Sequence, residues 1–600
     1  MHAAKRVLIG CLLALGAFRA AEPIYRSPAC LVADAAAATI YVTEVTAHEI
    51  AEVDVATGKV RRVITLPDPP GGLVLAADGK HLYVTGAVPH GRVHVVDLPS
   101  GTIERSMPVG HTPLSPVFSP DGSSLYVCNR FDNEISVLDP VSGAVRSRIP
   151  VTREPMAAAL TPNGRCLVVI NHLPNQPATA DVVAAEVTLV DTVSGAARHL
   201  LLPNGSTGLE GVCVSPDGGQ AFVTHILGRY QQPTTQLERG WMNTNALSIV
   251  DLNAGRLLAT VLLDQPDLGA ANPWGVACSA DGAFLCVAHA GTHELSLIDR
   301  PGLLRKIAAS ASVNDLSYNL GFLGELRRRI RLSGKGPRGV VVARDTVYAA
   351  EYFSDSLGVV RLNAPADQVG VSWPLAPAQP LNQVRLGEMA FNDASRCFQH
   401  WQSCASCHPG EARVDGLNWD LMNDGMGNPK NVRSMLLAHR TPPSMSLGVR
   451  ENAEKAVRSG FRFIQYTVVD EEIATAVDAY LSALTPVPSP HLKNGRLSAQ
   501  QEEGRSLFTS ASCMSCHTPP LYTNLKQYDL GTTSGMDKGH KVDVPTLVEV
   551  WRTAPYLHDG RALTLREVFL PTNNPKNKHG DVQDLTSEQL DALVAYVLTL

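Results

Sequence analysis

A unit of about forty residues recurs along residues 25–375 and constrains the fold of this chain more than any other feature. Each copy contains an apolar strand, an Asx-Gly turn, a second strand and a third strand that usually ends in Asp. The Asx-Gly pair supplies the positive φ that a hairpin turn requires. One residue of the second strand aligns in seven copies, at Tyr41, Tyr83, Tyr126, Val168, Phe222, Cys286 and Tyr348. Seven such repeats predict an all-β, seven-bladed propeller.

The third strands of the repeats share an alternating pattern, for example in residues 92–97, 134–139 and 294–299. This pattern resembles the YVTN-type propeller family, in which short strand motifs of this kind recur around a ring. The resemblance covers residues 25–375 and implies the fold but not an activity. Residues 227–245 form an aromatic-bearing insertion, for which we predict packing against the following domain, with substrate contact as the alternative.

Polar residues stand three positions after the aligned second-strand residue in most copies. The residues at this position are Glu44, Gly86, Asn129, Asn171, His225, His289 and Glu351, and all but Gly86 are polar. Imidazole and carboxylate groups suit a divalent cation, so Glu44, His225, His289 and Glu351 form one hypothesis for a site for calcium or another divalent ion. The alternative is a ring of solvated polar residues around a water-filled channel.

The chain begins with features of an exported protein. Lys5 and Arg6 precede an apolar run over residues 7–18 and two small residues, which predicts a secretory signal peptide over residues 1–21. Cys11 lies in a lipobox-like sequence, which makes lipidation the alternative. No later stretch has the length of a membrane span, so we expect a periplasmic or otherwise extracytoplasmic protein. The net charge of −6 argues against nucleic-acid binding.

Two Cys-x-x-Cys-His motifs occupy the last 220 residues, at Cys404, Cys407 and His408 and again at Cys513, Cys516 and His517. This is the attachment sequence of c-type haem, in which each cysteine forms a thioether and the histidine ligates the iron. The alternative is a zinc site formed by the four cysteines. Helical patterns surround each motif, and a proline-rich linker at residues 485–490 separates them. The sequence therefore predicts two mainly α, cytochrome c-like haem domains, over residues 380–485 and 493–600.

The second half also contains residues 504–508 (GRSLF), 518–520 (TPP), 544–547 (VPTL) and 553–560 (TAPYLHDG) around its motif. This order resembles the bacterial dihaem cytochrome c peroxidase family over residues 380–600. The resemblance implies an electron-transfer haem in the C-terminal half and a reactive haem in the N-terminal half. It also implies that His558 and Arg561 hydrogen-bond haem propionates or support the interface between the halves.

The chain departs from that family where a methionine normally ligates the second haem, because no methionine follows Met536. We predict His579 as the replacement ligand, with His540 as the competitor and a solvated loop histidine as the third possibility. A bis-histidine haem has a lower potential than a His/Met haem.

The distal side of the first haem is also altered. Met426 lies where the family often has a displaceable distal histidine. The alternatives for the distal ligand are therefore Met426, an open position or His439. Candidate distal polar groups are Gln465, Glu451 and Glu454, because a reactive haem needs an acid or base to move the peroxide proton. Trp419 is a candidate for the route between the haems, or a packing residue.

The sequence as a whole predicts an exported dihaem oxidoreductase that reduces hydrogen peroxide or another small oxidant, or that oxidises a substrate held by the propeller. Its expected partner is a small cytochrome or cupredoxin. The first alternative is a non-catalytic electron carrier that uses the propeller for docking. The second makes the propeller the catalyst and the haems its electron outlet.

Overall fold

Seven antiparallel sheets of four strands follow one another along the chain in the computed structural model. The structure describes residues 24–232, 242–420, 429–533 and 535–600. The predicted signal peptide and Met426 therefore lie outside the described residues. Each sheet contains four consecutive strands in sequential order, as expected for propeller blades. The predicted seven-bladed propeller is confirmed.

The strands of the first four blades are β1–β4 (Pro28–Ala33, Thr39–Glu44, Glu49–Asp54, Lys59–Thr65), β5–β8 (Pro70–Leu75, His81–Gly86, Arg92–Asp97, Thr102–Pro108), β9–β12 (Pro113–Phe118, Leu125–Asn129, Glu134–Leu138, Val145–Pro150) and β13–β16 (Pro155–Leu160, Cys166–Asn171, Glu186–Asp191, Ala197–Leu201). Those of the last three are β17–β20 (Ser206–Val214, Gln220–Gly228, Asn243–Asp251, Arg256–Leu262), β21–β24 (Pro273–Cys278, Phe284–His289, Glu294–Asp299, Arg327–Arg331) and β25–β28 (Pro337–Ala343, Thr346–Glu351, Ser356–Arg361, Val371–Pro374). Helix α1 (Arg300–Ala308) lies between β23 and β24.

The first strands of the seven blades contact one another in a closed ring, with β25 against β1. They are therefore the innermost strands and surround the central channel. The Asx-Gly turns join the first and second strands as predicted. In one of them Gly122 has a φ of +69°, and the Asp121 carboxylate accepts a hydrogen bond from the Ser123 backbone N–H at 3.0 Å.

The residues after the propeller form helices and two short two-stranded sheets. The helices are α2 (Gln383–Asn392), α3 (Cys404–Cys407), α4 (Pro409–Ala412), α5 (Ala453–Phe463), α6 (Glu471–Ala483), α7 (Ala499–Ser510), α8 (Leu565–Val568) and α9 (Ser587–Val597). The paired strands are β29 (Asn418–Trp419) with β30 (Lys430–Asn431), and β31 (Gln527–Tyr528) with β32 (Val542–Asp543). Helix α2 packs on α6 and α7 packs on α9, so the two halves repeat one arrangement.

A glycine lies at each of these two helix crossings and permits the close approach. A Cβ on Gly387 would lie 1.8 Å from the Ala476 carbonyl oxygen, and a Cβ on Gly504 would lie 1.9 Å from that of Ala592. The carbonyl oxygen belongs to the backbone of the facing helix and cannot move away alone. Any side chain at these positions would therefore force the helices apart.

We therefore expect Gly387→Ala and Gly504→Ala each to lower the free energy of unfolding by at least about 1–3 kcal/mol, the usual cost of overpacking. Chemical denaturation followed by far-ultraviolet circular dichroism measures the effect. The matched control is Ser506→Ala, at an exposed position of the same helix as Gly504. Glycine variants as stable as this control would contradict the prediction.

Candidate haem-attachment sites

The first Cys-x-x-Cys-His motif lies on the wall of a cavity of about 270 Å³, called here the first cavity. Helix α3 carries both cysteines, and a capping box of Ser403 and Ser406 begins it. His408 follows directly, and its Nδ1 lies 3.1 Å from the Arg413 carbonyl oxygen. A hydrogen bond from Nδ1–H to a carbonyl leaves the Nε2 lone pair free to bind a metal. Burial lowers the pKa of His408 to about 4, so the ring is neutral.

The second motif repeats this geometry in a cavity of about 360 Å³, called the second cavity. Cys513, Cys516 and His517 line it, and the Nδ1 of His517 lies 3.0 Å from the Tyr522 carbonyl oxygen. Burial lowers the pKa of His517 as well. Both histidines therefore present a neutral imidazole with the tautomer that iron ligation requires.

His579 lies in the second cavity together with His517. The centroids of the two rings are 6.4 Å apart and their planes are inclined by 37°. His579 is half-buried, its inaccessible Nδ1 has no hydrogen-bond partner, and burial lowers its pKa to about 4. The competing candidate, His540, is exposed and does not line this cavity.

The first cavity presents thioether side chains rather than a second imidazole. Met435 and Met445 are among its lining residues. His439, one of the predicted ligands, is not, and its Nε2 lies 2.9 Å from an Asp478 carboxylate oxygen instead. Met426 cannot be placed because it falls outside the described residues.

Met445 is a site residue that the sequence reasoning missed, although an internal repeat points to it. Residues 440–448 (RTPPSMSLG) match residues 552–560 (RTAPYLHDG). The backbones agree, because Met445 and Leu557 have φ values of +75° and +72°. Met445 in the first half thus corresponds to Leu557 in the second, and both line a cavity.

The three predicted distal groups of the first site have different surroundings. Gln465 is buried and lines the cavity, but its amide donates to the Cys404 Sγ at 3.1 Å, so it lies at the attachment point. Glu451 and Glu454 are exposed at the start of helix α5, and Glu451 pairs with Lys455. Neither lines the cavity. Asn452 caps this helix by accepting a hydrogen bond from the Lys455 backbone N–H, and the two glutamates lie on either side of the cap at exposed positions.

His558 and Arg561 have different surroundings. His558 lines the second cavity, and its Nε2 lies 3.6 Å from an Asp537 carboxylate oxygen. Arg561 does not line it. Its guanidinium binds Asp559 at 2.7 Å and Asn573 at 2.9 Å, so it braces the loop that carries His558 rather than facing the cavity.

Trp419 lines the first cavity but also packs against the propeller. It forms one buried cluster with Tyr230, Met242 and Leu417. Tyr230 and Met242 belong to the described ends of the aromatic insertion, so the predicted packing of that insertion against the following domain is confirmed for these residues. The Trp419 Nε1–H donates to Asp415 at 2.8 Å.

A polar wall separates the two cavities. The residues that line both are Asn431, Val432, Arg433, Ser434, Leu436, Ser446 and Thr546. Arg433 donates to Asp543 at 2.8 Å, which joins the two halves across this wall. Burial raises the pKa of Asp543.

The propeller contributes directly to the first site. Asn243 Nδ2 donates to the Cys407 Sγ at 3.2 Å. Asn272 donates to the Ser403 hydroxyl at 2.8 Å and accepts from that of Ser406 at 2.6 Å. Sequence reasoning missed both asparagines because they lie more than a hundred residues from the motif and match no pattern.

A group of charges, buried except for Glu411, joins the propeller to the segment that follows His408. Arg130 lies 3.0 Å from Glu154 and 3.3 Å from Glu411. Arg552 lies 3.6 Å from Glu154 and 3.1 Å from Glu411. We call these four residues the interface charge cluster. Gly410 lies among them with a φ of +57°, and a Cβ there would meet Arg130 at 2.9 Å and Arg552 at 3.0 Å.

The predicted divalent-ion site is wrong. The Nε2 atoms of His225 and His289 lie 2.8 and 2.7 Å from the hydroxyls of Ser248 and Ser296 in their own blades. The Glu351 carboxylate accepts from Ser356 at 2.5 Å. Within the described ranges, no group of three or more acidic, histidine or cysteine side chains is arranged to hold a metal ion. These second-strand residues are packed inside their blades, whereas the channel is lined by the first strands.

None of the helices in the described ranges has the length and apolar composition needed to cross a membrane.

Comparisons with known proteins give distant relatives and no matching family model. The chain is 25% identical over 360 residues to hydrazine synthase subunit gamma of Kuenenia stuttgartiensis, covering 46% of this chain and all of the relative. It is 29% identical over 180 residues to hydrazine synthase subunit beta of the same organism, covering 29% of this chain and 46% of the relative, less than half of its length. It is 24% identical over 299 residues to a cytochrome c551 peroxidase of Nitrosomonas europaea, covering 41% of this chain and 86% of the relative.

A solved structure of Kuenenia stuttgartiensis hydrazine synthase superposes with a TM-score of 0.52 at 26% identity. The superposition covers 56% of this chain and 96% of the solved chain.

Proposed function

We propose that this protein is an extracytoplasmic dihaem c-type oxidoreductase of peroxidase type, which takes electrons at the second cavity and reduces hydrogen peroxide or another small oxidant at the first. The observation that carries the proposal is the difference between the two cavities. Each has the same attachment motif and the same free Nε2, but among the described lining residues only the second cavity places another histidine ring, that of His579, next to the motif histidine.

The residues present fit covalently bound haem. Each cavity holds two cysteines for thioether bonds and one half-buried imidazole with an unused lone pair. When bound, the haems would supply the one-electron chemistry of the reaction. A zinc site of four cysteines is disfavoured because the two cysteine pairs line separate cavities.

His517 and His579 fit the role of two ligands on opposite sides of one iron. With metal–nitrogen distances of about 2 Å, the centroids of two such rings stand about 6 Å apart. The observed 6.4 Å agrees with this value. If both imidazoles held the iron of a bound haem, no position would be open to an oxidant, so this site suits electron transfer.

The first cavity suits a haem whose iron has one exchangeable ligand. Met435 and Met445 are weak ligands in comparison with imidazole. Ser444, Arg450 and Arg433 supply hydroxyl and guanidinium donors along the lining. Such donors are able to orient a bound oxidant and stabilise developing negative charge.

One observation favours the electron-carrier alternative. Peroxide reduction consumes protons, and none of the described residues that line the first cavity carries a carboxylate. If Met435 or Met445 ligates the iron firmly, both sites are closed and the protein transfers electrons without turnover.

The relatives support the oxidoreductase class. One is named for hydrazine synthesis and another for peroxide reduction. We propose the periplasm as the location, and a small cytochrome or cupredoxin as the electron donor.

Two measurements on the haem-loaded protein test this assignment. The first is low-temperature EPR of the protein as isolated and after half-reduction. The second is an assay of the peroxide-dependent oxidation of a reduced small cytochrome. We expect a high-spin ferric signal from the first site in at least one state, together with peroxide turnover. His579→Ala should add a second high-spin signal, whereas the control His540→Ala should not. Exclusively low-spin spectra without turnover would establish the electron-carrier function instead.

A further inference from the structure

The hydrogen bond that orients the motif histidine of the first site depends on a strained turn. His408 Nδ1 lies 3.1 Å from the Arg413 carbonyl oxygen, and the turn between these two residues, helix α4, is left-handed. Gly410, Glu411 and Ala412 have φ values of +57°, +63° and +63°. Residues with a side chain adopt this conformation only where their surroundings impose it. The position of the Arg413 carbonyl therefore depends on the contacts that hold the turn.

Contacts from other parts of the molecule hold the middle of this turn. Arg552 donates to the Gly410 carbonyl oxygen at 3.0 Å and to the Glu411 carboxylate at 3.1 Å. The Met435 backbone N–H donates to the Ala412 carbonyl oxygen at 3.0 Å. A separate contact holds the residue that follows the turn.

That contact is made by Glu549 of the second half. Its carboxylate accepts hydrogen bonds from Arg413 Nε at 2.5 Å and from Arg413 Nη2 at 3.0 Å. It also accepts one from the backbone N–H of Val487 in the linker, at 2.6 Å. Arg413 and Glu549 are 2% and 1% exposed, so water does not compete for this bidentate pair. The side chain of Arg413 is thus anchored to the second half while its carbonyl binds His408.

Glu549 departs from the internal repeat of the two halves. Residues 549–555 (EVWRTAP) correspond to residues 437–443 (LAHRTPP), so Leu437 is its counterpart in the first half. The backbones agree, with φ values of +62° and +61°. A leucine side chain offers no acceptor to a guanidinium. The second half therefore carries a buried carboxylate where the first half carries an apolar side chain.

The corresponding carbonyl of the second site is held within its own half. Tyr522 supplies this carbonyl, at the same spacing of five residues from His517. The Thr546 hydroxyl donates to the carbonyl of the preceding residue, Leu521, at 2.6 Å. The first site, in contrast, is held by a contact between the halves.

We propose that Glu549 is a positioning residue for the first haem site. By holding Arg413, it fixes the carbonyl that accepts the Nδ1–H of His408, and so sets how strongly this histidine binds iron. A hydrogen bond from Nδ1–H raises the basicity of the ligating nitrogen and fixes the orientation of the ring. This role rests on the proposed haem attachment at His408 and applies to a peroxidase and to an electron carrier alike.

Resonance Raman spectroscopy of the full-length, haem-loaded protein tests this role. Carbon monoxide is bound to the reduced protein and removed by light, and the iron–histidine stretching band of the first site is recorded. We expect Glu549→Gln to shift this band to lower frequency. The variant loses the charge-assisted hydrogen bonds to Arg413, so the hydrogen bond of His408 weakens. The control Glu588→Gln, at an exposed position of helix α9, should leave the band unchanged.

The double variant Arg413→Met with Glu549→Leu separates positioning from charge. It removes one positive and one negative charge together, so the net charge near His408 stays the same. Apolar side chains replace the buried pair without leaving either partner unpaired. We expect the band of the first site to shift to lower frequency here as well. A band from the second site should stay in place in both variants, because the loop after His517 is held within its own half.

A haemochrome assay establishes first that both haems are attached, and a protein without covalent haem would refute the attachment on which the proposed function also rests. With both haems present, a band that is unchanged in both variants would overturn the role of Glu549 and leave the proposed function standing. A shift in Glu549→Gln that the double variant reverses would also overturn this role, because charge rather than position would then set the band. The double variant decides the question if Glu549→Gln does not fold.

Discussion

Replacing Cys404 and Cys407 together with alanine is expected to halve the covalently bound haem and to abolish peroxide reduction. The two cysteines are the only thioether anchors on the wall of the first cavity as far as the structure describes it. Their loss leaves His408 as a single weak attachment. The second cavity has its own cysteines and its own histidines, so its haem should remain. A haemochrome assay per polypeptide measures the first effect and the peroxide assay the second.

The reciprocal variant, Cys513→Ala with Cys516→Ala, makes the assignment of roles testable. It should also retain half of the haem, but it should lose electron uptake from the reduced cytochrome while keeping a high-spin EPR signal from the first site. Cys278→Ala, a thiol in the propeller, is the control and should retain both haems. If this variant instead lost the high-spin EPR signal together with its peroxide activity, the high-spin site would be the second one. The assigned direction of electron flow would then be reversed.

The fold was predictable because its signals are local. Each Asx-Gly turn and the alternation of the strands beside it define one hairpin, and seven copies define the ring. The attachment motifs are equally local, because the cysteines and the histidine fall within five consecutive residues. His579 could be predicted from the sequence by elimination. It lies in the region where the peroxidase family that this chain resembles has a methionine ligand, and this chain has no methionine there.

The channel was assigned to the wrong residues for a physical reason. A repeat shows which positions are equivalent but not which strand of a blade is innermost. His225 and His289 therefore matched as a set, yet they pack inside their blades, whereas the first strands surround the channel. Asn243 reaches the first site, and Arg130 reaches Glu411, from distant blades, and such contacts exist only once the chain has folded.

The interface charge cluster yields the second large effect, which we expect from Glu154→Ala. Glu154 and its partners Arg130 and Arg552 are each at most 5% exposed. Removing the carboxylate would leave two arginines buried with only Glu411 to balance them, and breaking a buried pair in this way costs about 3–5 kcal/mol. The propeller and the segment after His408 meet at this point, so the loss should fall on their association. We expect a lower midpoint of chemical denaturation and faster proteolysis between residues 375 and 382.

The pH dependence of stability separates this electrostatic effect from simple loss of packing. Burial alone would raise the pKa of Glu154, but Arg552 and Arg130 outweigh it and lower that pKa to about 2, from an ordinary value of 4.5. A carboxyl with a lowered pKa stabilises the folded state fully above pH 4.5 and loses this contribution as the pH falls towards 2. The unmodified protein should therefore lose stability across this range more steeply than Glu154→Ala does. Glu451→Ala, which removes an exposed partner of Lys455, should change the free energy of unfolding by no more than about 1 kcal/mol across this range. If Glu154→Ala kept the pH profile of the unmodified protein, the charges would not hold the interface together.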